Sequence, residues 1–528
     1  MVENILPEEG NTRILGRDAQ RNNILAARVV SETVKTTLGP KGMDKMLVDR
    51  ANGVTITNDG VTILEEMEIE HPAAKMIVEI AKTQEKEVGD GTTTAVMIAG
   101  KLLENAERLL DSKIHPTIII RGYRWAEEKA QEILNEMAHE IDSEEELTKV
   151  AETAMTGKGA EYLKEKFGKM VVEAVKIVSD NGSINLDNIK IEKEVGGSIE
   201  ESKLIKGVVL DKSPTNQEMP SVVDGARIAL IEEALEIRNP ETEAKISISM
   251  PDQLQSFLNQ EDKILKEKVE SIKAAGANVI FVQRGIDDLV SFYLSKEGIY
   301  AISRVPKDDM QKLSKATGAR IVSKLSEIGE DDLGFAESVK CGEEEKMTYV
   351  MGCKNPKALT ILIRGGTEYV MDEVERAMKD ALGDVAATLK DSKVVSGGGA
   401  VEIELSIRLR EFSKSLNGRE RLAVEEFASS MECIPMTLAE NAGLDPIDIL
   451  TELKANHDAN GKNMGLNLFN GKIEDTMIRG IIEPLKVKTQ AIKSASEVAI
   501  MILRIDDVIA AAKSQGKKGN VGNMMGYD

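Results

Sequence analysis

In "VGDGTTTAVMIAG" (88–100) two glycines flank Asp90, and three hydroxyls, Thr92, Thr93 and Thr94, follow where an apolar helix begins. A helix N-terminus directs unpaired amides at whatever precedes it and so attracts anions. Glycine, lacking Cβ, lets the backbone close on such a ligand. A carboxylate there can hold a Mg²⁺ ion that also ligates phosphate oxygens, which is the chemistry Asp90 suggests. "TLGPKG" (37–42), with Leu38, Gly39 and Pro40, and "SGGGA" (396–400), with Gly398, repeat the glycine-rich design. Any one of the three alone is more often an ordinary turn or cap; their company in one chain points to a phosphate-bearing ligand. Asp59 ends a strand, a favourable place to present a side chain into a cleft. Lys158 in "AMTGKGA" (154–160) reads either as a point charge for a terminal phosphate or as an exposed turn lysine. Asp380 in "RAMKDALGD" (376–384), taken alone, reads as a solvated helix carboxylate. None of this is a familiar nucleotide loop. The chain has no G-x-x-x-x-G-K-[ST], and a G-x-G-x-x-G would need glycine where Thr94 stands.

These residues need a large scaffold, and 528 residues allow roughly three or four domains. No apolar run approaches the length of a membrane span, and the acidic, proline-containing start lacks a signal-peptide core, so a soluble cytoplasmic protein is expected. Three cysteines, Cys341, Cys353 and Cys433, with no C-x-x-C, exclude a disulfide framework or zinc ribbon. The four histidines are scattered and form no H-E-x-x-H. A net charge of −22 and 3% aromatics supply neither the basic footprint nor the stacking platforms that nucleic acid wants.

The first third reads as helical: Ala19 to Leu38, stopped by Gly39-Pro40; about Pro72 to Glu87; and a helix from Thr92 with Ala95, Ala99, Leu102, Leu103, Ala106 and Leu110 on one face. "KMLVDRANGVTIT" predicts a hairpin around Asn52-Gly53. Strand-like runs at 226–231, 277–282, 298–305, 319–323 and 358–364 fill the middle. Short helices Asp287–Lys296 and Asp308–Thr317, closed by Gly298 and Gly318, lie between some of them and predict a mostly parallel α/β sheet. Pro251 opens a long polar helix with a thin stripe of Leu254, Leu258, Leu265, Val269 and Ile272, suited to a protruding element or a lightly packed surface helix. Helical character returns after Tyr369. It is broken where Val394-Val395 meets three glycines, before a helix with Val401, Leu405, Leu409 and Phe412. The two glycine-rich junctions lie far apart in the chain, and both terminal thirds are expected in one domain with the α/β middle inserted. The tail "KSQGKKGNVGNMMGYD" is expected to be disordered.

"TTLGPKGMDKMLVD", "TNDGVTIL", "EVGDGTTTAV", "TGKGA", "VVSGGGA" and "EPLKVKTQA" occur in order along nearly the whole chain. Together they resemble a group II chaperonin subunit of the archaeal thermosome type, related to the eukaryotic cytosolic chaperonin. The resemblance implies a multidomain fold. A mostly α-helical equatorial ATPase domain would span 1–141 and 393–528. A small α/β intermediate hinge domain would take 142–208 and 364–392. An inserted α/β apical domain would take 209–363, with a helical protrusion at about 236–273 acting as a built-in lid. It implies ATP-driven protein folding with ATP/ADP and Mg²⁺ as cofactors. The partners would be other subunits in two stacked rings and unfolded client proteins, with no nucleic acid or membrane. Gly39, with Leu38 and Pro40, and the backbone at Asp90, Gly91, Thr92, Thr93 and Thr94 would cradle the phosphates. Asp90 would hold Mg²⁺, Lys158 would sense the γ-phosphate, and Asp59 and Asp380 would position and activate the attacking water. Gly398 would lie against the nucleoside, with Gly471 in the same nucleotide-binding set, and Glu483 would bond the ribose. Two features depart from the pattern: Lys472, where a neutral or acidic residue is expected beside the base, and a tail only loosely like the family's glycine- and methionine-rich repeats. The three carboxylates Asp59, Asp90 and Asp380 count against a non-hydrolysing scaffold of the same fold. The middle offers no second catalytic set for a metabolic ATP-dependent enzyme.

Overall fold

The computed structural model describes residues 12–48, 50, 53–141, 143–180, 183–237, 251–342, 346–354 and 356–510. The tail from 513 and the middle of the expected protrusion lie outside the described residues.

One apolar core draws on both ends of the chain. Val34 of helix Gly16–Lys35, Ile77 of Pro72–Glu87, Leu102 of Thr92–Asp111 and Tyr123 of Pro116–Met137 share it with Leu405 of Ala400–Ser415, Phe427 of Glu420–Met431 and Ile492 of Leu485–Leu503. Helix Thr92–Asp111 runs through its centre, touching the helices Gly16–Lys35, Pro72–Glu87, Glu420–Met431 and Leu485–Leu503. Its residues from Thr94 to Gly100 are all buried, as an all-round apolar helix must be. The first helix is shifted towards the N-terminus relative to expectation, from Gly16 to Lys35. Beyond Lys35 the chain tightens into i→i−3 bonds, Thr37 N–H to Val34 O and Leu38 N–H to Lys35 O, which end the α-helix before Gly39.

A second core is built by helices Glu144–Met155, Lys164–Val178 and Glu368–Asp391 against a three-stranded sheet. In that sheet Leu359–Gly365 runs parallel to Ile189–Val195 and antiparallel to Lys203–Ile205. The expected boundary at 363 therefore falls inside a strand whose Ile361 and Ile363 belong to this middle core.

The third unit centres on a seven-stranded sheet in the order Tyr300–Ile302, Val279–Val282, Val222–Ile231, Gly334–Cys341, Thr348–Met351, Gly207–Leu210, with Ile321–Val322 paired to Val222–Ile231. It is mixed rather than mostly parallel, because the strands on the Gly334–Cys341 side pair antiparallel. Its two faces carry separate cores in strict alternation. Ile228 and Leu230 face Met310 and Leu313 of helix Lys307–Thr317. Ala229 and Ile231 face Val290 of helix Asp288–Lys296 and Leu265, Val269 and Ile272 of helix Pro251–Ala275. Among its described side chains the latter helix packs through its second half, since Phe257 is 40% and Leu258 50% exposed. Among the described residues no helix is long and apolar enough to cross a membrane.

Candidate active site

A cavity of about 420 Å³ opens between the helical unit and the middle unit. Its floor is the start of helix Thr92–Asp111. Gly91 is the N-cap residue, in the left-handed region at φ +78°, with no side-chain cap on the amides that follow. A Cβ at Gly91 would lie 2.6 Å from Val487 Cγ1, so only glycine fits the turn. A second helix, Ala400–Ser415, starts at the same cavity from Gly399, again without a side-chain cap. Two uncapped N-termini give the cleft the amides and partial positive charge that a phosphate chain requires. Gly39 closes the near side at φ +77°, where a Cβ would meet Leu438 Cδ2 at 2.4 Å. Asn441 Nδ2 holds that turn by donating to Lys35 O and Leu38 O.

The charged groups come from four elements. Asp59 caps helix Gly60–Glu66: its Oδ2 accepts from Thr62 N–H at 2.9 Å and from Thr62 Oγ1 at 2.7 Å. The carboxylate is thereby fixed in orientation while it lines the cleft. Asp90 Oδ1 accepts from Gly91 N–H at 2.7 Å. From the middle unit, Lys158 Nζ donates to Asp380 Oδ2 at 2.5 Å and lies 4.0 Å from Asp90. Burial works against the Lys158 charge, but Asp380 and Asp90 outweigh it and raise its pKa, so Lys158 stays protonated. Burial, then the Asp90 and Asp59 charges, push Asp380 up to about 7 against the pull of Lys158. The pair thus conflicts over Asp380: the ammonium favours the carboxylate and the surroundings favour the acid. The result is a group poised near neutrality, where proton transfer is most effective.

On the far wall Gly398, at φ +66°, approaches Leu466 O so closely that a Cβ would lie at 2.7 Å. Glu483 lines the cleft and pairs with Lys488 at 2.7 Å, and Lys488 also pairs with Glu402 at 2.9 Å. Leu38, Pro40, Gly91, Thr92, Thr93 and Thr94 complete the lining among the expected residues. Gly471 does not join them. It turns the hairpin between Met464–Asn467 and Lys472–Asp475, its N–H bonded to Asn467 O, and neither it nor Lys472 lines the cavity.

Three features of the site carry no motif. Gln84 is fully buried and its Nε2 donates to Asp90 O and Val487 O, tying the loop to helix Leu485–Leu503. Phe469 lines the cavity, with Lys41 and Lys164 over its ring at 5.5 and 5.6 Å. Asp384 is buried in the cavity wall one helical turn beyond Asp380, a position the i, i+4 spacing would have flagged had Asp380 been known to face inward.

A carboxylate-bearing cleft floored by a helix start, with a lysine–aspartate pair reaching in from a second unit, has the chemistry to hold a phosphate-bearing ligand between two units. Residues 30–513 match the TCP-1/cpn60 chaperonin family. The chain is 58% identical to a thermosome subunit of Pyrococcus abyssi over 531 residues, 98% of this chain and 96% of the relative. It is 57% identical to the thermosome subunit beta of Archaeoglobus fulgidus over 527 residues, again 98% and 96%. It is 56% identical to the alpha subunit of that organism over 533 residues, 99% and 98%. The chain belongs to the TCP-1/cpn60 chaperonin family and is a chaperonin subunit.

Proposed function

We propose that this subunit binds Mg-ATP in the cleft and that hydrolysis drives closure of a built-in lid over enclosed, unfolded protein. The helical unit would be the equatorial domain, the middle unit the hinge, and the sheet-centred unit the apical, client-gripping domain. The observation that carries this reading is the Lys158–Asp380 pair, brought by the middle unit onto the start of helix Thr92–Asp111 beside Asp90.

The residues fit a Mg-nucleotide: uncapped amides at two glycine-started helices, hydroxyls at Thr92–Thr94, and a carboxylate at Asp90. A bound Mg²⁺ would neutralise phosphate charge, with Asp90 as its protein ligand. The chain's own part in phosphoryl transfer is alignment and charge stabilisation. Lys158 would give up Asp380 for the terminal phosphate, which frees Asp380 to take a proton from water that Asp59 helps to orient. Because Asp59 stands on the helical unit and Asp380 on the hinge helix Glu368–Asp391, the pair is complete only when the two units dock. Hydrolysis would then wait on hinge closure.

Asp380→Ala should bind Mg-ADP as the parent does and lose ATP hydrolysis by on the order of a hundredfold or more. Equal turnover in the two proteins would sink the catalytic assignment. Light scattering should find rings of about 0.9 MDa, about sixteen copies of the 57.6 kDa chain in two stacked rings.

A further inference from the structure

Asp384 is an anomaly in the site. It is 2% exposed, its Oδ1 has no hydrogen-bond partner, and it lines the cavity. A buried carboxyl oxygen without a donor or cation is costly, and a bound ion or water is one way in which such a group is completed. The three lysines that line the cavity do not answer it: Lys158 is bonded to Asp380, Lys488 to Glu402 and Glu483, and Lys164 donates to Thr156 Oγ1 over the Phe469 ring. Its position follows from a contact between two glycines. A Cβ on Gly383 would meet Val88 O at 2.5 Å and Gly89 Cα at 3.0 Å, so the hinge helix and the phosphate loop touch backbone to backbone. The next residue on each strand of that contact is Asp384 on one side and Asp90 on the other.

We propose that the divalent-cation site of this cleft uses two carboxylates, Asp90 and Asp384, the free Oδ1 of Asp384 being the second protein acceptor, either for the ion or for a water on it. The inference rests on the Mg-nucleotide reading above. Among the described residues no group of three or more His, Cys, Asp or Glu side chains could hold a metal ion by itself. Two carboxylates leave the remaining positions to phosphate oxygens and water, the usual arrangement for Mg²⁺ at a nucleotide. Asp384 also rides on the hinge helix. The cation would therefore bond both units at once and favour their docked arrangement, which Asp90 alone cannot do.

The test is Mn²⁺ binding by electron paramagnetic resonance, with and without ADP, on the full-length protein and its Asp384→Asn and Asp384→Val variants. ADP affinity in EDTA, by calorimetry, serves as the metal-free control. We expect Mn²⁺ affinity with ADP present to fall about tenfold or more in both variants, and metal-free ADP affinity to be no weaker than the parent's, since a negative charge facing the phosphates is removed. Should Asp384→Val fail to fold, the near-isosteric Asp384→Asn decides. Mn²⁺ affinity unchanged in the variants overturns the proposal while leaving the nucleotide reading intact. A parent protein that binds no Mn²⁺ with ADP overturns both.

Discussion

Lys488 illustrates how much of this site is electrostatic scaffolding behind the residues that face the cleft. Its side chain is 6% exposed and bridges Glu402, 2% exposed, and Glu483. Burial opposes the lysine's charge, but the two carboxylates raise its pKa, so it is held charged. Removing one member of a buried ion network strands the rest, which typically costs about 3–5 kcal/mol, whereas replacing the members together by apolar groups is often near neutral. Lys488→Met should therefore lower the urea midpoint clearly, and the Lys488→Met/Glu402→Met double variant should recover part of the loss, Glu483 being left without its lysine. If the single variant unfolds at the parent's midpoint, the network contributes no stability. Lys488 was within sight in the sequence, inside "EPLKVKTQA", but spacing gave it no role because its partners lie in other elements. The same holds for Gln84, which meets Val487 only in the folded chain. Asp90 and Thr92–Thr94 were legible because their neighbours in sequence are also their neighbours in space.

At the scale of elements, the docking of helix Glu368–Asp391 on the loop at 88–89 turns on Gly383. Inside an exposed helix Gly→Ala would stabilise by roughly 1 kcal/mol. Here the added methyl meets Val88 O at 2.5 Å, a backbone atom that cannot swing aside. The clash outweighs the propensity gain, and the helix that carries Asp380 must stand off. Gly383→Ala is expected to lower kcat for ATP hydrolysis by about tenfold or more, with ADP affinity little changed. A rate equal to the parent's would mean that docking does not limit turnover. The element pattern itself was well marked in the sequence wherever local signals agree. Pro72–Glu87 and Thr92–Asp111 fall where glycine and proline punctuate apolar periodicity. The mixed sheet was not legible, because antiparallel pairing of Thr348–Met351 with Gly207–Leu210 joins segments far apart in the chain and leaves no local trace. Nor could an apolar run reveal that Leu359–Gly365 belongs to a different sheet from the strands before it.

On the scale of the whole molecule, the helical unit carries an apolar surface that a lone subunit does not need. In the hairpin of Lys45–Val48 and Val54–Thr57, Met46 stands opposite Ile56 and Val48 opposite Val54, so all four side chains share one face. They are 66%, 38%, 61% and 37% exposed, and Met43 nearby is 70% exposed. Leu47, on the other face, packs against the helical core and fixes which side looks outward. Among the described residues no third strand joins this pair, and a two-stranded sheet with an apolar face is marginal in water and readily pairs with further chain. In a ring of copies that surface would lie against a neighbouring subunit. Replacing Met46 and Val48 together by Asp places two charges on the face without touching Leu47 or the cleft. The variant is expected to keep the parent's helical circular dichroism and bind ADP, yet to run in light scattering as single subunits or small oligomers. A variant that still forms the parent's particle would show that ring contacts lie elsewhere. A variant that loses its helical signal would mean that the hairpin serves the fold of the subunit itself.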